Sequence, residues 1–307
     1  MISNLNHPIP NTFGIDAKAK LFIEYYSLDE LRQVLKEHKG EPILHIGQGS
    51  NLLFTTDFNG VILHSGMARA KFLDDETVEA QNGLRLDDMI AQLTDMGYSG
   101  LEKLSLIPGE VGASAVQNVG AYGVEAKDVI ERVYTIDVET LEERVFTNAE
   151  CKFGYRDSAF KHELKGKYIV TSVVYKVKPG DATKTREEII ETRNGKLPKV
   201  GEVGSAGSFF MNPFVPEEQA NALLALYPDM PHFPSPQGVK IPAAWLIEQC
   251  GWKGKTLGGA QVWPKQPLVI VNANNASAQD IIDLAAAVSK SVKEKFGIDI
   301  HPEVNYI

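Results

Sequence analysis

Three side chains in this 307-residue sequence sit where their neighbours give them chemical potential. Ser208 stands in GSAGSFFMNP (204–213), after a backbone nearly stripped of side chains and before Phe209 and Phe210. A tight turn entering a buried strand accounts for that pattern. So does a large flat ligand lying against Gly207 with the Ser208 hydroxyl facing it. Arg156, in GYRDS (154–158), sits between an aromatic and the turn-forming Asp157, a setting that on its own reads as a surface pair. Glu303, in HPEVNYI (301–307), stands beside Pro302 near the chain end, where a carboxylate is ordinarily a solvated charge.

Two glycine-rich stretches could hold an anion. HIGQGSNLLF (45–54) and IPGEVGASAVQNVGAYG (107–123) place unhindered backbone N–H groups in succession, which is how turns build anion nests. Ser50, Asn51 and Ser114 add side-chain donors, and a pyrophosphate is the natural guest. Other readings are weak. GQGSNL lacks the third glycine of the dinucleotide fingerprint, and GWKGKT (251–256) has Gln249 where a phosphate loop needs its first glycine. There is no Gly-x-Ser-x-Gly elbow of a serine hydrolase.

Amphipathic helices and short strands must position these groups. SLDELRQVLKEHKG (27–40) reads as a helix with a Ser27–Glu30 capping box, and EPILHIG (41–47) as a buried strand. RLDDMIAQLTDMG (85–97) is a second helix with Leu86, Met89, Ile90 and Leu93 inward. Strands are expected between 129 and 178, the last with Ile169, Thr171, Val173, Tyr175 and Val177 alternating. A helix should run from a Thr185–Glu188 capping box to Gly195, and YPDMPHFPSPQG (227–238) should be an irregular loop. IPAAWLIEQCG (241–251) and SAQDIIDLAAAVSKSVKEKFG (277–297) are further helices, with the strand LVIVN between them. Helix and strand runs without regular βαβ alternation indicate an α+β fold.

Bulk properties narrow the partners. A net charge of −9 argues against nucleic acid or an acidic membrane surface, and no apolar run is long enough to span a bilayer. MISNLNHPIPNTFG has no features of a signal peptide, so a cytoplasmic location is expected. Two separated cysteines, Cys151 and Cys250, and seven scattered histidines offer no metal site.

In chain order, NTFGIDAKAK, GQGSNLLF, IPGEVGASAVQNVGAYGVE, FGYRDSAFK, RNGKLP, AGSFFMNP, AAWLIEQCGWKG and HPEV resemble the UDP-N-acetylenolpyruvoylglucosamine reductase family nearly end to end. The resemblance implies an FAD-binding fold of the vanillyl-alcohol-oxidase type followed by a substrate domain. Its divisions would be residues 1–64, joined by the tail 299–307, then 65–196, then 197–298. It implies NADPH-dependent reduction of UDP-N-acetylglucosamine enolpyruvate to UDP-N-acetylmuramate, a monomeric enzyme and no metal. Gly47, Gln48, Gly49, Ser50 and Asn51, with Pro108, Gly109, Gly112, Ala113 and Ser114, would cradle the pyrophosphate and adenosine end of FAD. Asn118, Gly120, Ala121, Gly123 and Tyr155 would lie near the isoalloxazine, and Arg193 would offset charge at its pyrimidine edge. Hydride would pass from flavin N5 to C3 of the substrate and a proton from Ser208 to C2, while Arg156 and Glu303 polarise the substrate carboxylate. Tyr122, Lys196, Asn212 and Gln266 match substrate contacts.

The chain departs from that pattern in two places, one of them HFP (232–234), with Phe233 where one branch of the family tends to carry a tyrosine. The interval KVKPGDATKTREEIIETRNGKLP lacks the tyrosine loop that one branch of the family folds over its nucleotide, although AAWLIEQCGWKG looks like that branch. Weaker hold on the nucleotide-sugar is the expected consequence. The competing readings are another FAD-dependent oxidoreductase, with His45, His64 or Cys151 as covalent flavin attachment points, and a flavin- or nucleotide-binding protein without efficient turnover.

Overall fold

Ser27 begins the first helix, α1 (Leu28–Glu37), by accepting the Glu30 N–H on its hydroxyl at 3.2 Å. The Glu30 carboxylate does not return to Ser27. It takes the Tyr26 N–H at 2.7 Å and the Met1 ammonium at 2.8 Å, so the expected reciprocal box is only half formed. Leu31, Val34 and Leu35 are buried and fix the inner face.

A computed structural model describes every residue except residue 200 and divides the chain into two compact units. The first comprises Met1–Pro10, Asp16–Gly49 and Thr56–Arg193; the second comprises Asn11–Ile15, Ser50–Thr55 and Asn194–Ile307. Both regions expected before residue 196 thus fall largely within the first unit.

In the first unit, strands Lys18–Tyr25 and Ile43–Ile46 run parallel to Phe58–Ser65 between them, and Ile2–Pro8 adds an antiparallel edge. A second, antiparallel sheet has the order Glu143–Thr147, Ile130–Asp137, Tyr168–Lys176, Thr77–Gln81, Ala70–Asp74. Its central strand is buried from Ile169 through Tyr175 on both faces, so the alternation in the sequence does not mark an inside and an outside. Helices α2 (Leu86–Asp95) and α3 (Val111–Gln117) share the core of this sheet through Leu86, Met89, Ile90, Leu93, Val111 and Ala115. Helix α4 (Thr183–Lys196) starts two residues before the expected cap, because the Asp181 carboxylate accepts the Thr183 N–H at 3.0 Å. Thr185 and Glu188 therefore lie inside the helix, and Gly195 is a helical residue rather than its stop. Pro198, two residues past the end, is incompatible with a further turn.

The second unit has a sheet ordered Gly204–Ser208, Val269–Asn272, Ala260–Val262, Thr256–Leu257. It also holds helices α5 (Glu217–Leu226), α6 (Ala243–Gln249) and α7 (Ala278–Phe296). The Pro-rich stretch is not wholly irregular. Phe233–Ser235 pairs with Gly238–Lys240 as the outer strand of a small sheet, where the missing N–H of Pro234 is tolerated. Helix α7 has the expected ends: a reciprocal Ser277–Asp280 box, and Gly297 in the left-handed region at φ 67°.

Candidate active site

The first unit carries one set of candidate residues. Gln48 turns its carboxamide oxygen to the Gly109 N–H at 3.0 Å, joining the two glycine-rich stretches. Gly49 (φ 64°) and Gly109 (φ 121°) occupy backbone conformations that a side chain would strain. A Cβ on Gly112 would lie 2.9 Å from the Asn82 Cβ, while the Gly112 N–H bonds the Asn82 carbonyl at 3.0 Å. That glycine is required by packing. Ser114 differs from expectation. Its hydroxyl is buried, bonds the Val111 carbonyl at 2.7 Å and meets the Tyr175 phenol at 2.6 Å, so the side chain serves the core and not an anion.

Helix α3 ends on Asn118 in the left-handed region, and its side chain organises the Arg156 turn. The Asn118 amide donates to the Gly154 carbonyl at 2.6 Å, and its oxygen accepts the Lys127 N–H at 2.9 Å. Ser158 adds a bond to the Val116 carbonyl at 2.6 Å. Arg156 itself has φ 55°, and its guanidinium reaches the carbonyls of Gly120 and Asn118, with the Glu125 carboxylate at 3.6 Å. It is not paired with Asp157, which instead binds His162 at 2.8 Å. Tyr155 lies beside the guanidinium, 5.1 Å from ring centroid to carbon. Arg193, near the end of α4, is desolvated enough to lower its pKa despite a bond with the Tyr122 phenol, and its buried Nε has no hydrogen-bonded partner among the described residues.

Beneath these loops lies a polar network that the sequence reading passed over. His64 bridges Glu24 at 3.1 Å and Glu110 at 3.0 Å, and Glu110 packs against Gly47, whose Cβ would come within 3.1 Å of the carboxylate. Asn82 bonds the Tyr25 phenol at 3.0 Å, and that phenol meets His45 at 2.9 Å. Burial works to lower the His64 pKa, but Glu110 and then Glu24 outweigh it and raise it. Desolvation, with a smaller push from His64, holds His45 down from 6.5 to about 3. Folding therefore excludes a proton from His45 that the unfolded chain takes up. This stability is complete above pH 6.5 and is lost progressively as pH falls toward 3. His64 has the opposite sign: its contribution is complete below 6.5 and fades as pH rises through its raised value. His45→Gln is expected to flatten the fall in urea midpoint between about pH 7.5 and about pH 5. An unaltered slope would assign the acid sensitivity elsewhere.

The second unit carries a separate set. Strand Gly204–Ser208 pairs with Val269–Asn272, but the register breaks between Ser205 and Ser208. Gly207, at φ 69°, sits in that bulge, which re-aims the residue that follows it. Phe209 and Phe210 are completely buried, their rings 5.1 Å apart, and Phe13 adds an edge contact at 6.2 Å. Ser208 is thus a half-buried residue on a rigid aromatic anchor. The Phe209 carbonyl accepts the Glu303 N–H at 2.8 Å, which sets Glu303 beside this bulge from nearly a hundred residues away. Asn51 completes the seam, donating to the Glu303 carbonyl at 3.3 Å and accepting the Asn305 N–H at 3.1 Å.

Comparison with known proteins decides the family. Residues 19–140 match the FAD binding domain, and 198–307 match the UDP-N-acetylenolpyruvoylglucosamine reductase C-terminal domain. The UDP-N-acetylenolpyruvoylglucosamine reductase of Bacteroides fragilis is 48% identical, with 97% of both chains covered. The chain belongs to the UDP-N-acetylenolpyruvoylglucosamine reductase family. That makes it an FAD-dependent oxidoreductase of peptidoglycan precursor synthesis. The reductase of Neisseria gonorrhoeae is 42% identical over 97% of this chain and 94% of its own. The solved reductase of Thermus caldophilus aligns with a TM-score of 0.74 and 25% identity, covering 97% of this chain and 95% of that one.

Several residues fit the cofactor on their own geometry. The glycine turns at 47–49 and 109 offer close backbone approach, and the orphaned Arg193 Nε is a buried donor in need of an acceptor. Ser208 and Glu303 are brought together in the second unit, where Asn51 also lies, while Arg156, Tyr155 and Arg193 belong to the first. Asn212 spends its carboxamide oxygen on the Ala243 N–H at 2.9 Å, at the start of α6. Lys196 ends α4, its carbonyl held by the Trp263 indole at 3.0 Å, three residues before Gln266. The alternative flavin attachment points are engaged elsewhere: His45 with Tyr25, His64 with two carboxylates, and Cys151 buried with its thiol pushed up to about 12 by desolvation.

Proposed function

We propose that this chain reduces UDP-N-acetylglucosamine enolpyruvate to UDP-N-acetylmuramate at the expense of NADPH, as a cytoplasmic monomer. FAD, when bound, supplies the hydride chemistry. The protein's own contribution falls to Ser208, Arg156 and Glu303. Hydride addition at C3 of an enolpyruvyl group leaves negative charge at C2 and on the carboxylate oxygens. Ser208 then gives its proton to C2, a step in which a positioned weak acid suffices because the carbanion is strongly basic. Arg156 offers its planar fork to the carboxylate, and Glu303 shares in polarising it. The observation that carries this reading is the Gly207 bulge, which presents Ser208 next to the bend that carries Glu303, on a base of buried phenylalanines.

The remaining assignments belong to the same proposal. Residues 47–51 and 108–113 hold the pyrophosphate, and 118–123 with Tyr155 and Arg193 hold the isoalloxazine. Tyr122, Lys196, Asn212 and Gln266 contact the nucleotide-sugar, and a three-part division at residues 64 and 196 underlies the arrangement. Alignment with the Bacteroides relative extends over 323 positions, more than the 307 residues here, so that relative carries inserted residues. Among the described residues no helix is long and apolar enough to cross a membrane.

The test is spectroscopic. The purified protein should be yellow, bleach anaerobically with NADPH, and regain its colour when the enolpyruvyl nucleotide is added. Bleaching without reoxidation by that substrate would leave a flavin reductase of another specificity; a colourless protein that takes up no FAD would end the proposal.

A further inference from the structure

Helix α4 presents a mechanical problem. None of its fourteen residues is fully buried, and Ile189 and Ile190 are only half-buried, so apolar packing does little to set its position. It nonetheless carries Arg193, which the reading above places at the flavin. Besides the Arg193–Tyr122 bond and the Trp263 indole on the Lys196 carbonyl, an ion pair ties it to another element. Arg186 Nη1 lies 2.7 Å from Asp87 Oδ1 and Nη2 lies 3.3 Å from Asp87 Oδ2, a two-pronged pair whose side chains are only 13% and 17% exposed. Asp87 is in the first turn of α2, and its Oδ1 also accepts the Leu106 N–H at 2.8 Å. Leu106 has φ 58°, a conformation an aliphatic residue adopts only when surroundings impose it. Next to it the chain is stitched to the start of α2 by Leu86 N–H to the Gly109 carbonyl (3.1 Å) and Val111 N–H to the Leu84 carbonyl (2.9 Å).

Arg186 and Arg193 are seven residues apart, two turns of helix, and so share one face of α4. Asp87 also acts on Arg193 through its charge, favouring the protonated guanidinium against desolvation. Burial works to raise the Asp87 pKa, but the bond with Arg186, then the Leu106 N–H, outweigh it and lower it.

We propose that Asp87 and Arg186 are positioning residues of the cofactor site, a latch that holds the 106–109 turn with one carboxylate oxygen and aims Arg193 by docking α4 with the fork. The inference rests on the FAD-site reading. Neither residue touches the cofactor. Each acts through another: Asp87 through Leu106 and Gly109, Arg186 through Arg193.

Titration of the apoprotein with FAD, followed by flavin fluorescence, and the midpoint potential of the bound flavin test it together. Wild-type protein that binds no FAD would sink the function proposal itself. Given binding, Arg186→Met removes the charge and keeps the Asp87–Leu106 arm. Its Kd for FAD is expected to rise about ten- to a hundredfold, the value of one charge-assisted contact. The potential should fall, because a cation at the pyrimidine edge stabilises the anionic reduced flavin. Arg193→Met should lower the potential by a similar amount, the double variant should add little, and Arg186→Lys should recover part of the loss. A lower melting temperature and weaker binding with an unchanged potential would mark Arg186 as merely structural and overturn the inference. So would wild-type Kd and potential in Arg186→Met, or a potential that Arg193→Met does not move.

Discussion

Ser208→Ala is expected to leave reduction of the bound flavin by NADPH within about twofold of wild type and to slow reoxidation by the enolpyruvyl substrate about 10²- to 10⁴-fold. The asymmetry follows from where the proton is needed. Hydride transfer from NADPH requires no acid, whereas quenching charge at C2 does. The substitution is structurally mild: Ser208 pairs with Val269 at the end of a bulge whose shape is set by Gly207 and by buried Phe209, not by the hydroxyl. Single-turnover absorbance traces of each half-reaction measure the effect. Equal slowing of both halves would show that the hydroxyl positions something common to them.

Arg156→Lys should lower kcat/KM for the enolpyruvyl nucleotide about 10- to 100-fold while FAD affinity stays near wild type. The guanidinium reaches two carbonyls, those of Gly120 and Asn118, and lies 3.6 Å from the Glu125 carboxylate. A lysine ammonium is a single point on a flexible stem, unable to keep those anchors and still meet a planar carboxylate with two parallel bonds. Steady-state kinetics with the nucleotide varied provide the check. An unchanged kcat/KM would remove Arg156 from the substrate's carboxylate.

Local signals were readable where local physics decides. Helix α7 begins and ends at the residues that cap it, Ser277 and Gly297, because those caps compete with nothing farther away. Helix α4 was misplaced at its start since Asp181, two residues upstream of Thr183, provides the acceptor. Glu30 looked like the return half of a capping box, yet the Tyr26 N–H and the N-terminal ammonium claim it. The Ser114 hydroxyl meets Tyr175, sixty-one residues away, an encounter no spacing rule contains. The same holds for Glu110 and His64, forty-six residues apart, and for Asp87 and Arg186, ninety-nine apart. Glycine-rich backbone and the aromatic anchor after Ser208 were legible because composition alone limits what such segments can do. The charged supports behind them were not, because ion pairing leaves no local periodicity.

The central claim is spatial: one hydroxyl, one guanidinium and one carboxyl act on a single enolpyruvyl group. A crystal structure with FAD and the enolpyruvyl nucleotide bound tests it most directly. The account predicts the Ser208 oxygen within hydrogen-bonding reach of C2, with Arg156 and Glu303 both on the substrate carboxylate. Finding Ser208 on the far side of the flavin from the substrate, or Arg156 directed away from the carboxylate, would contradict it.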